Sequence, residues 1–175
     1  GGNGVEFTRN MGQWPDSILF RADAGGAVMW IVKDGIYYQY TRRIPKPKSG
    51  EEAMAAGLGP RRIDPVGHDY EPRDSIEMTL VKARFVESNP DVQISGLDEL
   101  EHRCNYFRGN DPANWHTDVP NYAAVSMREI YPGVTATFRG KNGRLEYQLE
   151  GSADALKKVK TEYSGAPVSA IDNQE

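Results

Sequence analysis

Along most of this chain, apolar and polar positions alternate in short runs, and turn residues separate the runs. Ala27-Val28-Met29-Trp30-Ile31-Val32 is rich in β-branched and aromatic residues. Ile36-Tyr37-Tyr38-Gln39-Tyr40-Thr41 repeats that character after Lys33-Asp34-Gly35. Two such runs around an Asp-Gly step predict a β-hairpin. Gly25-Gly26 predicts a further turn, which follows the short apolar run Ser17 to Ala22. From Ser75 to Val86 the alternation is again clear, and the apolar set changes face near Val81, as in a bulged or bent strand. Asn89-Pro90 is a turn, and Val92 to Ile94 and Asn105 to Phe107 are short strands.

The C-terminal half continues the pattern. Asp111-Pro112 predicts a short helical turn, because Asp caps well and Pro suits the first helical position. Pro120 predicts loop or edge structure for Trp115 to Tyr122, since proline cannot donate to a central ladder. Ala124 to Met127 is an apolar run, Tyr131-Pro132-Gly133 a turn, and Val134 to Phe138 a strand. Asn142-Gly143 is a hairpin turn into Leu145, Tyr147 and Leu149, which alternate with Glu146, Gln148 and Glu150 as a buried and a wet face. Asp154 to Leu156 reads as one helical turn. Val159, Thr161 and Tyr163 alternate with Lys158, Lys160 and Glu162. Val168 to Ile171 is a last strand whose open edge suits a strand from a partner or from a continuation of the chain.

The expected fold is all-β: a β-sandwich, or two packed antiparallel sheets, of about ten short strands with minimal helix. Residues 42–73 stand apart, with Pro45, Pro47, Pro60, Pro65 and Pro72 among four glycines, and only Glu51 to Ala56 fits a helical turn. This long Pro/Gly-rich excursion is expected at the surface of a single 1–175 domain, or as the break between two subdomains within 42–74.

The 175 residues carry 21 basic and 25 acidic side chains, a net charge of −4. The basic clusters are short: Arg42-Arg43 with Lys46 and Lys48, Arg61-Arg62, and Lys157-Lys158 with Lys160. No stripe among them matches a run of phosphates, which argues against a nucleic-acid partner. No apolar run approaches the ~20 residues of a membrane-spanning helix.

Candidate chemistry is sparse. The single cysteine, Cys104, reads either as a nucleophile with His68, His102 or His116 as base, or as a small buried apolar residue. His102 and Cys104 share one strand face, but two ligands do not make a zinc site. Asn110, Asp111 and Asp118 offer oxygens near one loop and are the candidates for calcium, the one cofactor considered. The acidic pair Glu146 and Glu150 lies on a wet strand face, and no nucleophile-elbow motif is present.

Two stretches carry a family likeness. Asn10-Met11-Gly12-Gln13-Trp14, followed by Ile18-Leu19-Phe20-Arg21-Ala22, resembles an "N-x-G-Q-W … V-x-F-x-A" opening. Asn105-Tyr106-Phe107-Arg108-Gly109-Asn110-Asp111-Pro112-Ala113-Asn114-Trp115 resembles an "NYF-x-GNDP-x-x-W" signature, followed by Val119 to Tyr122, Tyr131-Pro132-Gly133-Val134 and Leu145-Glu146-Tyr147. These are similar to a bacterial domain of uncharacterised function at the N-terminus of large secreted or cell-surface proteins, often with SBBP-type β-propeller repeats. The likeness covers nearly the whole chain outside 42–73. It implies an exported product, freed of its signal peptide and cut from a longer chain, and it implies no activity.

Read chemically, Asn110, Asp111 and Asn114 form loops and caps. Gly12, Gly109 and Gly133 suit positive φ. Trp14, Tyr106, Phe107, Trp115 and Tyr131 are anchors that pin loops onto the sheet. The expected function is a non-catalytic structural or interaction module that docks on the rest of its own polypeptide or on neighbouring surface proteins. The alternative is a carbohydrate-binding module using exposed Trp14, Trp115 and Tyr131. A hydrolase is third.

Overall fold

The computed structural model describes residues 4–45 and 75–172 of the chain; residues 46–74, including the Glu51 to Ala56 turn and His68, lie outside the described residues. Ten strands follow in chain order: β1 (Phe7–Arg9), β2 (Phe20–Ala24), β3 (Ala27–Val32), β4 (Gly35–Ile44), β5 (Ser75–Phe85), β6 (Gln93–Phe107), β7 (Trp115–Tyr131), β8 (Val134–Lys141), β9 (Arg144–Glu150) and β10 (Thr161–Asp172). A 3-10 turn at Pro112–Asn114 and one short helix, α1 (Ala153–Leu156), complete the described elements. The all-β expectation therefore holds. The strands form one hydrogen-bonded sheet, in the order β10-β5-β4-β3-β2-β1-β7-β8-β9, with β6 paired to β7.

The chain divides into two compact units. The larger comprises Gly1–Tyr40 and Leu80–Ala166, and the smaller Thr41–Thr79 and Pro167–Glu175. In the smaller unit, an exposed ion pair joins Arg42 to Glu77 at 3.1 Å.

Local chemistry sets the hairpins of the larger unit. Gly25 and Gly26 both take positive φ (60° and 77°), as do Asn142 and Gly143 (54° and 74°). That left-handed pair twists a two-residue loop the way the flanking strands twist. Gly35 has a different reason to be glycine: a Cβ there would lie 2.1 Å from the Ala83 carbonyl oxygen. The close approach lets the Asp34 carbonyl accept from the Phe85 N–H at 2.7 Å, while the Asp34 carboxylate accepts from Arg84 at 2.8 and 3.0 Å.

β7 is the hub. Along one edge it pairs first with β1 at Asn121 and Tyr122, then with β8 from Ala124 onward. Along the other edge it pairs with β6. Trp115 to Tyr122, expected as loop or edge, is strand: among the described residues Trp115 to Pro120 pair with β6 alone, as an edge, and only Asn121 and Tyr122 also pair with β1. The β6–β7 register shifts between Glu99 and Arg103, beside the Arg103–Pro120 pair, so the missing proline N–H falls where the ladder is already irregular. The two short strands expected near Val92 and Asn105 are likewise one strand. Its Ser95 to Arg103 stretch is polar because, among the described residues, β6 pairs on one edge only, and exposed edge strands carry charge.

The core of the larger unit draws on both limbs of the sheet. Phe7, Phe20, Ala22, Met29, Ile31, Ile36 and Phe85 meet Val125, Met127, Ile130, Val134, Ala136 and Phe138 in one cluster. Each of the largest of these side chains, fully buried, contributes about 1.5–3 kcal/mol. The wet-and-buried alternation on β9 is weaker than expected: Leu145 and Leu149 are half-buried against the core, but Tyr147 is 43 % exposed. Val159 also packs there, whereas Thr161 and Tyr163 are exposed. α1 begins where expected, with the Ser152 hydroxyl accepting from the Ala155 N–H. No helix of the described residues is long and apolar enough to cross a membrane.

Candidate functional site

The Asn10 to Trp14 motif is a loop held by its own amides. Asn10 Nδ2 donates to the carbonyls of Trp14, Pro15 and Ile18 at 3.0, 3.0 and 2.7 Å. Asn10 Oδ1 accepts from the Gly12 and Trp14 N–H groups at 2.9 and 3.2 Å. Gln13 is buried, with its Oε1 accepting from the Met11 N–H and its Nε2 donating to the Arg9 carbonyl. These amides supply backbone partners that the irregular loop cannot give itself. Trp14 is buried beneath them, edge-on to Trp30 at 5.5 Å and to Tyr106 at 5.4 Å.

The second motif caps the β6–β7 connection. Asp111 Oδ1 accepts from the Ala113 N–H, as expected of a cap, and Trp115 Nε1 donates to the Gly109 carbonyl at 3.1 Å. Asn105 Oδ1 accepts from the N–H of Asp118, itself at φ 54° in the irregular ladder. Phe107 and Trp115 pair across the hairpin end, edge-to-face at 5.5 Å. They are 61 % and 40 % exposed. Among the aromatic residues expected to face a sugar, only Trp115 is exposed, because burial withdraws Trp14 and Tyr131.

Tyr131 instead ties off the turn Tyr131-Pro132-Gly133. Its hydroxyl lies 2.6 Å from the Val86 carbonyl and 3.0 Å from that of Lys160, and the Lys160 N–H approaches it at 3.4 Å. Burial pushes the phenol up, while the Lys160 backbone bond pulls the other way. Gly12, Gly109 and Gly133 all take positive φ, as the motif reading requires.

Cys104 is half-buried beside the fully buried Asn121. Asn121 Nδ2 donates to Cys104 Sγ and to the His102 carbonyl, both at 3.3 Å, and Thr8 Oγ1 donates to Asn121 Oδ1 at 2.6 Å. His102 Nε2 lies 2.7 Å from the Glu6 carboxylate on the surface. His116 packs by Gly12, where a Cβ would lie 3.0 Å from its Cε1. Of the two readings of Cys104, the described residues show a half-buried thiol in contact with Asn121, and His68 lies outside them. No group of three or more His, Cys, Asp or Glu among the described residues is placed to hold a metal ion. Of the calcium candidates, Asp111 is engaged as a cap, and the Asp118 carbonyl accepts from Arg103 at 3.0 Å. Asn110 and Glu146 with Glu150 are exposed.

A groove of about 350 Å³ opens beside the first motif, lined by Arg9, Asp16, Phe20, Ser95, Gly96 and Tyr122 among others. Three separate segments build it through the β1–β2, β1–β7 and β6–β7 pairings. Sequence reading missed Arg9, Asp16, Ser95 and Gly96, which carry no motif. The one sequence signal was their closeness to Asn10, Gly12 and Ile18-Leu19-Phe20.

The chain belongs to the family described as a domain of unknown function, DUF7948, whose profile matches residues 7–175. No curated protein and no solved structure matches it.

Proposed function

We propose that this chain is a non-catalytic recognition module of a secreted or surface-anchored bacterial protein, and that it docks on the remainder of its own polypeptide or on a neighbouring surface protein. The observation that carries the proposal is the Phe107–Trp115 pair, two large aromatic side chains left in solvent on a hairpin fixed by the Asp111 cap and the Trp115–Gly109 bond. Rigid aromatic side chains supply much contact area at low entropic cost, as in interface hot spots. The motif amides support the same reading, because their polar atoms are spent on holding loops. The exported location rests on the family likeness of those motifs. A two-layer, sandwich-like packing of the sheet is part of the proposal, supported by the core shared between its limbs.

The test mixes the isolated chain with the remaining segments of its native polypeptide, read by calorimetry. Association is expected, weakened about tenfold or more by Phe107→Ser with Trp115→Ser. Equal association of both forms overturns the role of the aromatic pair, and none of either overturns docking on the chain's own polypeptide. A hydrolase gains no constellation from the described residues. Carbohydrate binding gains one, the polar groove.

A further inference from the structure

We infer that the groove beside the Asn10–Trp14 loop is a saccharide-binding subsite, with Arg9, Asp16 and Ser95 as its polar contacts and Tyr122 as its ring platform. The inference goes beyond the docking role of the hairpin and rests on different residues.

Register places the groups. Arg9 is opposite Phe20 on β2 and two residues beyond Phe7, so it shares the face of those two core residues. Tyr122 is opposite Phe7 and lies on that face too. Its ring meets Phe20 edge-on at 5.9 Å. The ring lies flat across Gly96, where a Cβ would fall 2.4 Å from Tyr122 Cγ. Glycine at 96 therefore leaves the room that the ring occupies. Asn10 and Gly12 also line the groove, and the amide of Asn10 is saturated by five backbone bonds. By contrast, the side chains of Arg9, Asp16 and Ser95 have no hydrogen-bond or ion-pair partner among the described residues.

The lining selects a ligand class. A guanidinium only donates and a carboxylate only accepts. A simple anion would meet Asp16 and a simple cation would meet Arg9. Both groups are exposed, so either one alone holds an ion weakly. A sugar hydroxyl both donates and accepts, so a pyranose carries partners for Asp16, Arg9 and Ser95 alike. Its C–H face suits Tyr122 and the apolar rim of Ile18, Leu19 and Ile94. The volume is at the small end of ligand sites, which fits one or two rings.

The experiment titrates the whole chain, isotope-labelled, with glucose, galactose, mannose, N-acetylglucosamine and their β1,4-linked dimers, following backbone amide shifts. Glycine serves as the zwitterionic probe. Saturable shifts at Gly12, Ser95 and Gly96 are expected with at least one sugar, at a Kd of about 0.1–10 mM. Arg9→Ala and Asp16→Ala each weaken binding about tenfold, while Lys157→Ala leaves it unchanged. Unaltered melting temperatures keep the two groove variants interpretable. Absence of shifts at about 20 mM of every sugar, shifts confined to other residues, shifts that survive both variants, or a response to glycine alone overturns the assignment. None of these outcomes touches the hairpin, whose association assay is separate.

Discussion

Removing one oxygen atom tests how the larger unit is closed. Tyr131→Phe keeps the ring, which is 5 % exposed and edge-on to Phe85 at 6.3 Å. It deletes a hydroxyl that bridges the carbonyls ending β5 and preceding β10, Val86 and Lys160. The Lys160 carbonyl keeps a second partner, the Val86 N–H at 2.8 Å. The Val86 carbonyl loses a 2.6 Å bond. The Lys160 N–H also loses its 3.4 Å contact with the hydroxyl, and the loss of these contacts, with the half-buried Val86 acceptor left wanting, should cost about 1–3 kcal/mol. For a domain of this size that lowers Tm by roughly 2–10 °C. Tyr131→Ala also empties the ring's site and should cost about 3–5 kcal/mol. Urea unfolding followed by circular dichroism gives both values, with an unchanged m-value for Tyr131→Phe. If Tyr131→Phe is as stable as the parent while Tyr131→Ala falls as expected, the hydroxyl bridge adds nothing to ring packing, and the reasoning is refuted.

Further outcomes follow from other contacts. Gly35→Ala forces a methyl into the Ala83 carbonyl and should destabilise by about 2–4 kcal/mol in the same urea assay. Asn10→Ala strips partners from five backbone groups. It should cost about 2–4 kcal/mol and expose Trp14, read as a red-shifted tryptophan emission. The Tyr38 phenol is pushed up to about 12 by burial first, then by Tyr163, Tyr40 and Tyr147. Its folded pKa is above its unfolded one, so its contribution is complete below pH 10 and is lost as pH rises from 10 toward 12. The loss should be about 1–2 kcal/mol after screening at a half-buried site, and Tyr38→Phe should remove that alkaline slope.

Elements defined by adjacent residues were legible in the sequence. Gly25-Gly26, Asn142-Gly143, the Asp111 cap and the α1 turn carry their geometry in two to four consecutive side chains, and local chemistry of that kind does not depend on the rest of the fold. The middle of β6 and the start of β7 were not legible. Ser95 to Arg103 reads as polar loop because its strand, among the described residues, pairs on one edge only, and Pro120 reads as a breaker because its register shift is a property of the paired strand. The aromatic anchors were half-legible: Trp14, Tyr106 and Tyr131 do pin loops, but their types do not say which would be covered and which, like Trp115, would stay in water. The groove was least legible, because Arg9 lies more than eighty residues from Ser95 and from Tyr122 in sequence and meets them only through strand pairing.

That difference bears on what the first motif does. A loop can be pinned with one or two side-chain bonds, yet Asn10 and Gln13 together supply seven to the ten residues from Arg9 to Ile18. Trp14 then anchors the stretch against Trp30 and Tyr106. Such a loop has little conformational freedom left to lose. Arg9 and Asp16, at its two ends, are therefore presented at nearly fixed positions while their own charged groups remain unpaired among the described residues. A rigid frame around unspent polar groups is the arrangement that weak, multi-contact recognition requires, since ordering the loop on binding would consume the small free energy that a few exposed hydrogen bonds provide. Loosening the frame at Asn10 should therefore weaken a groove ligand even though Asn10 has no bonding capacity left to touch one.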